Sequence, residues 1–304
     1  MQLLYALQTI RTPLLDIIIG LITRLGEETI LLVIGMVIMW CIDKKWGFRF
    51  MFAGLFGTAL NQLLKAIFLI PRPWVIDPEF EIVESAREAA TGYSFPSGHT
   101  QSAGTVFGMI AMWAKRRLVT VACVIVVLLV GFSRMYLGVH TPYDVGVSLV
   151  TSLLTVVGVT ALCERAKTEK QKAAFSAGMI GFALALVLYV VLAPKRAANV
   201  AEFDAHGVEN AWKLLGSMVG LVIAWYMDER HTRFETKAPL LVQVIKLALG
   251  FALVMAIKGG LKPVLGAVMN GSPVAHAIRY FIMVIVGAGL WPMTFKRLAG
   301  LGRK

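Results

Sequence analysis

Eight residues in the first half of this chain could together do chemistry: Lys65, Arg72, Ser97, Gly98, His99, Arg134, His140 and Asp144. Lys65, Arg72 and Arg134 would form a cationic clamp suited to a phosphate, the arginines offering bidentate contacts. Ser97 and the flexible Gly98 can present a hydroxyl and backbone N–H groups at a helix start, where the helix dipole favours an anion. Asp144 follows His140 by four residues. If a helix has begun by then, its carboxylate can reach one imidazole nitrogen, fix the tautomer and leave the other free to attack. His99 can then protonate the departing oxygen, general-acid work worth roughly 10²–10⁴-fold. These are the residue types of phosphoryl transfer through a phosphohistidine, and no cofactor or metal is called for.

Each residue alone has a plainer reading. Thr141-Pro142-x-Asp144 is a good helix start, with Thr141 as N-cap and Pro142 at the first helical position, and Ser97 can be an N-cap. Lys65 can snorkel, Arg134 can anchor at an interface, and single histidines usually pack. The joint arrangement argues otherwise: all eight fall at the same ends of successive apolar spans, on one membrane face.

The elements that must position them are membrane helices. The chain has 304 residues, 58% hydrophobic and 16% charged, with mean hydropathy +0.73. Apolar blocks alternate with short charged loops, the pattern of a polytopic membrane protein. That excludes a disordered regulator or a disulfide-stapled module. The net charge of +12 lies in clusters between spans rather than in a stripe interleaved with aromatics, so no nucleic-acid partner is expected. Cys41, Cys123 and Cys163 have no framework spacing, and His206, His231 and His276 have no ligand-like spacing. The N-terminus lacks signal-peptide character and is read as mature from Met1.

The expected fold is all-α, with nine transmembrane helices near 29–43, 47–70, 98–114, 118–137, 143–163, 173–193, 211–227, 239–257 and 275–294. Residues 1–28 hold an amphipathic interfacial helix over 2–25, residues 29–165 the catalytic bundle, and residues 166–304 a four-helix extension of unassigned role. Seventeen of the 30 Lys and Arg residues fall in five loops: Lys44/Lys45/Arg49, Lys115/Arg116/Arg117, Arg165/Lys167/Lys170/Lys172, Arg230/Arg233/Lys237 and Lys296/Arg297/Arg303/Lys304. With nine spans these share one face, cytoplasmic by the positive-inside rule, which leaves the eight site residues outside and the C-terminus inside. Trp40, Trp46, Trp74, Trp113 and Trp291 are expected in the aromatic belts, and Asp77, Glu79, Glu81, Glu84 and Glu88 on a solvated face. Gly216-x-x-x-Gly220 is expected to pack helices within the chain, a homodimer face being the other reading. Lys246, inside a span, is expected to snorkel or contact a helix rather than line a pore.

Lys65-x6-Arg72-Pro73, Pro96-Ser97-Gly98-His99 and Ser133-Arg134-x5-His140-x3-Asp144 resemble the three signature motifs of the type 2 phosphatidic acid phosphatase superfamily, with every position present in order. The resemblance covers roughly residues 27–163. It implies His140 as nucleophile, Asp144 as its orienting partner and His99 as general acid. It implies Lys65, Arg72, Ser97, Gly98 and Arg134 as phosphate ligands. The expected activity is hydrolysis of a lipid phosphate or diphosphate (polyprenyl diphosphate, phosphatidic acid, phosphatidylglycerol phosphate or sphingoid phosphate) at the outer membrane face, without metal. A lipid transporter or flippase, or a lipid-linked phosphotransferase using the same anion pocket, are the alternatives.

Overall fold

A computed structural model describes residues 1–193 and 201–301, so part of the expected 194–210 loop and the cations Arg303 and Lys304 lie outside the described residues. Among these every regular element is a helix, without strands. The N-terminal segment forms two helices rather than one, α1 (Gln2–Thr9) and α2 (Pro13–Arg24). Pro13 at the first helical position and the Thr12 hydroxyl, which accepts from the Leu15 N–H at 3.3 Å, restart the helix. Then come α3 (Glu28–Val37, prolonged by a π-turn over Ile38–Ile42), α4 (Lys44–Phe68), the single turn α5 (Pro73–Ile76), α6 (Gly98–Ala114), α7 (Arg117–Tyr136) and α8 (Pro142–Arg165). The second half contains α9 (Glu169–Leu192), α10 (Ala201–Met227), α11 (Leu240–Val268), α12 (Val274–Val284) and α13 (Phe295–Leu301).

Among the described residues, six helical stretches are long and apolar enough to cross a membrane: Lys44–Ile76, Arg117–Tyr136, Pro142–Arg165, Glu169–Leu192, Leu240–Val268 and Val274–Ala299. The protein is an integral membrane protein. A seventh crossing would be α2 together with Glu28–Ile42, a pair bent by 46°. The expected segments 29–43, 98–114 and 211–227 are also helical but do not qualify singly. The first is one arm of the bent pair. The 17 residues of α6 reach only about 25 Å at 1.5 Å per residue, short of a ~30 Å hydrocarbon layer. The third lies in α10, whose first half carries Glu209, Asn210 and Lys213.

The chain forms two compact units. The first comprises Met1–Leu32, Phe56–Ala161 and the described part of Leu192–Gly207; the second comprises Val33–Leu55, Leu162–Val191 and the described part of Val208–Lys304. In the first, α1, α2 and α6 pack on α7. The loop after α5 folds onto the end of α7 through Ala86, Ala90, Tyr136, Leu137 and Val139, with Ile19 of α2 in the same apolar cluster. Arg11 ties these parts together, donating to the Tyr136 carbonyl at 3.0 Å and the Glu81 carbonyl at 2.7 Å, while the Tyr136 hydroxyl donates to Asp16 at 2.9 Å. Glu79, Glu81, Glu84 and Glu88 are exposed. Asp77, by contrast, accepts from the Tyr5 hydroxyl at 2.8 Å, and Glu84 pairs with Arg87 at 2.6 Å.

In the second unit α11 packs on α12. Trp40 is fully buried and donates to the Gly287 carbonyl at 3.1 Å, so it belongs to the core and not to an aromatic belt. Lys246 is also fully buried, its ammonium 3.3 Å from the Thr236 carbonyl and 4.5 Å from the centre of the Phe295 ring. Gly216 and Gly220 both face α12: a Cβ on Gly216 would overlap the Ala277 carbonyl, and one on Gly220 would lie 3.0 Å from the Phe281 carbonyl oxygen. The motif is thus used inside the chain. Gly216→Ala should lower stability by about 1–3 kcal/mol, read as a lower Tm in detergent. Gly181→Ala on α9, where nothing lies within 4 Å, should not lower Tm, since alanine favours the helix over glycine.

Candidate active site

All eight residues singled out from the sequence lie in the first unit, and local chain chemistry explains how each is presented. Ser97 caps α6, its hydroxyl accepting from the Thr100 N–H at 3.4 Å and the Thr100 hydroxyl at 2.9 Å. Gly98 and His99 therefore occupy the first turn of α6. Asp144 sits in the first turn of α8, where it accepts from the Thr141 N–H at 2.7 Å while its own N–H donates to the Thr141 hydroxyl at 3.4 Å. This reciprocal cap satisfies helix-start donors and aims the second function of the carboxylate, which lies 3.4 Å from His140 Nδ1.

His140 is 1% exposed and Asp144 1%. Ser94 completes the group: its hydroxyl donates to Asp144 at 2.7 Å and stands 3.4 Å from His140 Nδ1. With the carboxylate at Nδ1, the favoured tautomer carries its proton there and leaves Nε2 unprotonated. Nε2 lies 2.9 Å from an Arg72 guanidinium nitrogen. Burial first, then the charges of Arg72, Arg134 and Lys65, push His140 well below the usual imidazole range.

The cations are buried as well, Lys65 at 9% exposure, Arg72 at 4% and Arg134 at 1%. Backbone carbonyls of one loop hold two of them. Arg72 donates to Thr91 (2.7 Å), Gly92 (3.0 Å) and, across the site, Val139 (3.0 Å). Lys65 donates to the carbonyls of Tyr93 and, at 3.3 Å, Ser94. Arg134 differs: among the described residues it donates once, to the Thr23 hydroxyl at 2.8 Å, while its buried Nε and second terminal nitrogen have no partner. His99 Nε2 is likewise buried without a partner. Unpaired buried nitrogens beside concentrated positive charge have the chemistry to bind an anion.

Sequence reasoning passed over three contributors. Ser94 lies two residues before the Pro96-Ser97-Gly98-His99 motif, outside the spacing that marks the others. Thr23 was placed in an interfacial helix, yet it holds Arg134. Gly26, just beyond α2, lets the chain approach His99, since a Cβ there would lie 2.7 Å from the His99 carbonyl oxygen and 2.9 Å from its Cβ. No spacing pattern marks the last two.

Comparison with known proteins agrees with the geometry. The PAP2 superfamily matches residues 46–168, and its transmembrane extension, found in PAP2 superfamily phosphatases, matches residues 212–304. The undecaprenyl-diphosphatase of Bacillus subtilis is 37% identical over 101 residues, 33% of this chain and 49% of that protein, so the chain spans about half its length. The phosphatidylglycerophosphatase B of the same organism is 30% identical over 177 residues, 54% of this chain and 82% of that protein. The Escherichia coli phosphatidylglycerophosphatase B is 34% identical over 89 residues, 28% of this chain and 35% of that protein. No solved structure matches. With three cations, two histidines and a carboxylate gathered in the matched region, the chain belongs to the PAP2 superfamily.

Proposed function

We propose that this protein is a membrane phosphatase that removes the terminal phosphate from a lipid phosphate or diphosphate. The observation that carries the reading is His140, whose Nδ1 faces Asp144 while Nε2 opens onto the buried cations. In the first step the Nε2 lone pair attacks phosphorus, the bond to the leaving oxygen breaks, and His99 gives that oxygen a proton. Lys65, Arg72 and Arg134, with Ser97 and the N–H groups of the first turn of α6, hold the phosphoryl oxygens as charge develops. In the second step water attacks the phosphohistidine, His99 takes its proton, and phosphate leaves with His140 restored. The cations supply the charge that a metal would otherwise bring, so the mechanism calls for none.

A polyprenyl diphosphate is our first choice of substrate, followed by phosphatidylglycerol phosphate. Similarity to proteins named for undecaprenyl diphosphate and for phosphatidylglycerophosphate supports both. We read all nine expected segments as crossings, with residues 29–165 as the catalytic bundle and 166–304 as its extension. The basic loops then face the cytoplasm and the site opens to the outer leaflet.

Phosphate release by the purified protein in detergent, across a panel of lipid monophosphates and diphosphates, tests the reading. His140→Ala should abolish turnover and EDTA should leave it intact, whereas strong stimulation by Mg²⁺ would count against the mechanism. Thr23→Val, which removes the hydroxyl from Arg134, should lower kcat/KM by about tenfold, the cost of one hydrogen bond to a charged group. Thr23→Ser should restore most of that loss.

A further inference from the structure

We propose a second ligand site in the second unit, a cleft that binds the phosphate headgroup of an anionic phospholipid at the basic ends of the helices. The cleft encloses about 520 Å³, inside the range of about 300–1,000 Å³ typical of small-molecule sites. Its wall charges come from separate segments: Lys44, Lys45 and Arg49 at the start of α4, Lys172 in the first turn of α9, and Arg233 after α10. The carboxylates Asp228 and Glu229 also line it, and both are already engaged. Lys44 pairs with Asp228 at 2.9 Å and Lys172 with Glu229 at 2.5 Å. Asp228 further accepts from the Phe234 N–H at 3.1 Å. Five cations against two carboxylates leave the cleft positive.

Its apolar lining distinguishes the cleft from an ordinary basic loop cluster. Phe48 and Phe52 are buried, at 3% and 1% exposure, and Trp225 joins them. Phe52 and Trp225 meet edge to face at 5.6 Å and are backed from behind the cleft wall by Phe175, 5.1 and 5.8 Å from them, which makes the aromatic lining rigid. A soluble phosphate would use the cations and leave this surface idle. A phospholipid uses both, its phosphate on the rim and its glycerol and first methylenes on the rings. Basic pockets between membrane helices are recurrent headgroup sites. Lys45 and Arg233 are exposed at the rim, and Arg49, 3.2 Å from Glu164, stacks its guanidinium 5.0 Å from the Trp46 ring centre. Lys45 and Arg233 can therefore turn to a headgroup without dismantling a buried pair.

The test uses the full-length protein, delipidated in detergent and titrated with dioleoyl phosphatidylglycerol, read by native mass spectrometry. This phosphodiester lacks the terminal phosphate monoester on which the proposed hydrolysis acts. Wild type should retain the lipid in preference to phosphatidylcholine. The paired substitution Lys45→Gln with Arg233→Gln should weaken retention about 25-fold, at roughly fivefold per basic residue. An unchanged Tm would show that the variant folds; if Tm falls, Lys45→Gln alone should still give the fivefold loss. Equal retention by wild type and variant overturns the proposal. Displacement of the lipid by millimolar inorganic phosphate assigns the cleft to a soluble anion and overturns it too. Because the readout is binding and the variants lie outside the catalytic set, its failure would leave the hydrolase reading untouched.

Discussion

A lysine and two arginines held together away from water repel one another, and much of the first unit is an answer to that repulsion. Charges in a low-dielectric surround are tolerated only when polar atoms are fixed around them. Here the polar atoms are mostly backbone carbonyls. Residues 91–94 turn four consecutive carbonyls toward Arg72 and Lys65. That loop can serve as a collar because its flank is anchored by Ala86 and Ala90 in the apolar cluster at the end of α7. Arg134 is the exception: among the described residues it has a single hydroxyl partner, and its Nε and second terminal nitrogen are buried without one.

The site was legible in the sequence to the extent that its residues sit at helix starts and ends. Ser97, His99, His140 and Asp144 follow capping chemistry, which is local and can be read from spacing. Thr23, Gly26 and the carbonyl collar depend on packing between segments far apart in the chain, and neither hydropathy nor periodicity carries that information. The same distinction explains the N-terminal region. Its composition suggested one helix lying on the membrane surface, yet Pro13 divides it, and α2 reaches the site through a threonine that looks unremarkable in sequence.

Apolar content located the helices, and six of the nine expected segments are long and apolar enough by themselves to cross a membrane. α6 is short because the Ser97 cap that places His99 in its first turn also fixes where it starts, and Lys115 ends it in a left-handed conformation. α10 keeps polar residues on its first half because a helix packed on others need not be apolar all round. Trp40 shows the converse. A tryptophan near a span end usually marks the interface, but close helix approach at Gly250, where a Cβ would lie 2.6 Å from the Trp40 ring, makes room for it in the core.

The reciprocal cap between Thr141 and Asp144 joins two things usually treated apart. One carboxylate stitches the opening turn of α8 and steadies the imidazole of His140. Unravelling of that turn would release the ring in the same motion, so the setting of the His140 imidazole and the integrity of a helix end rise and fall as a single event.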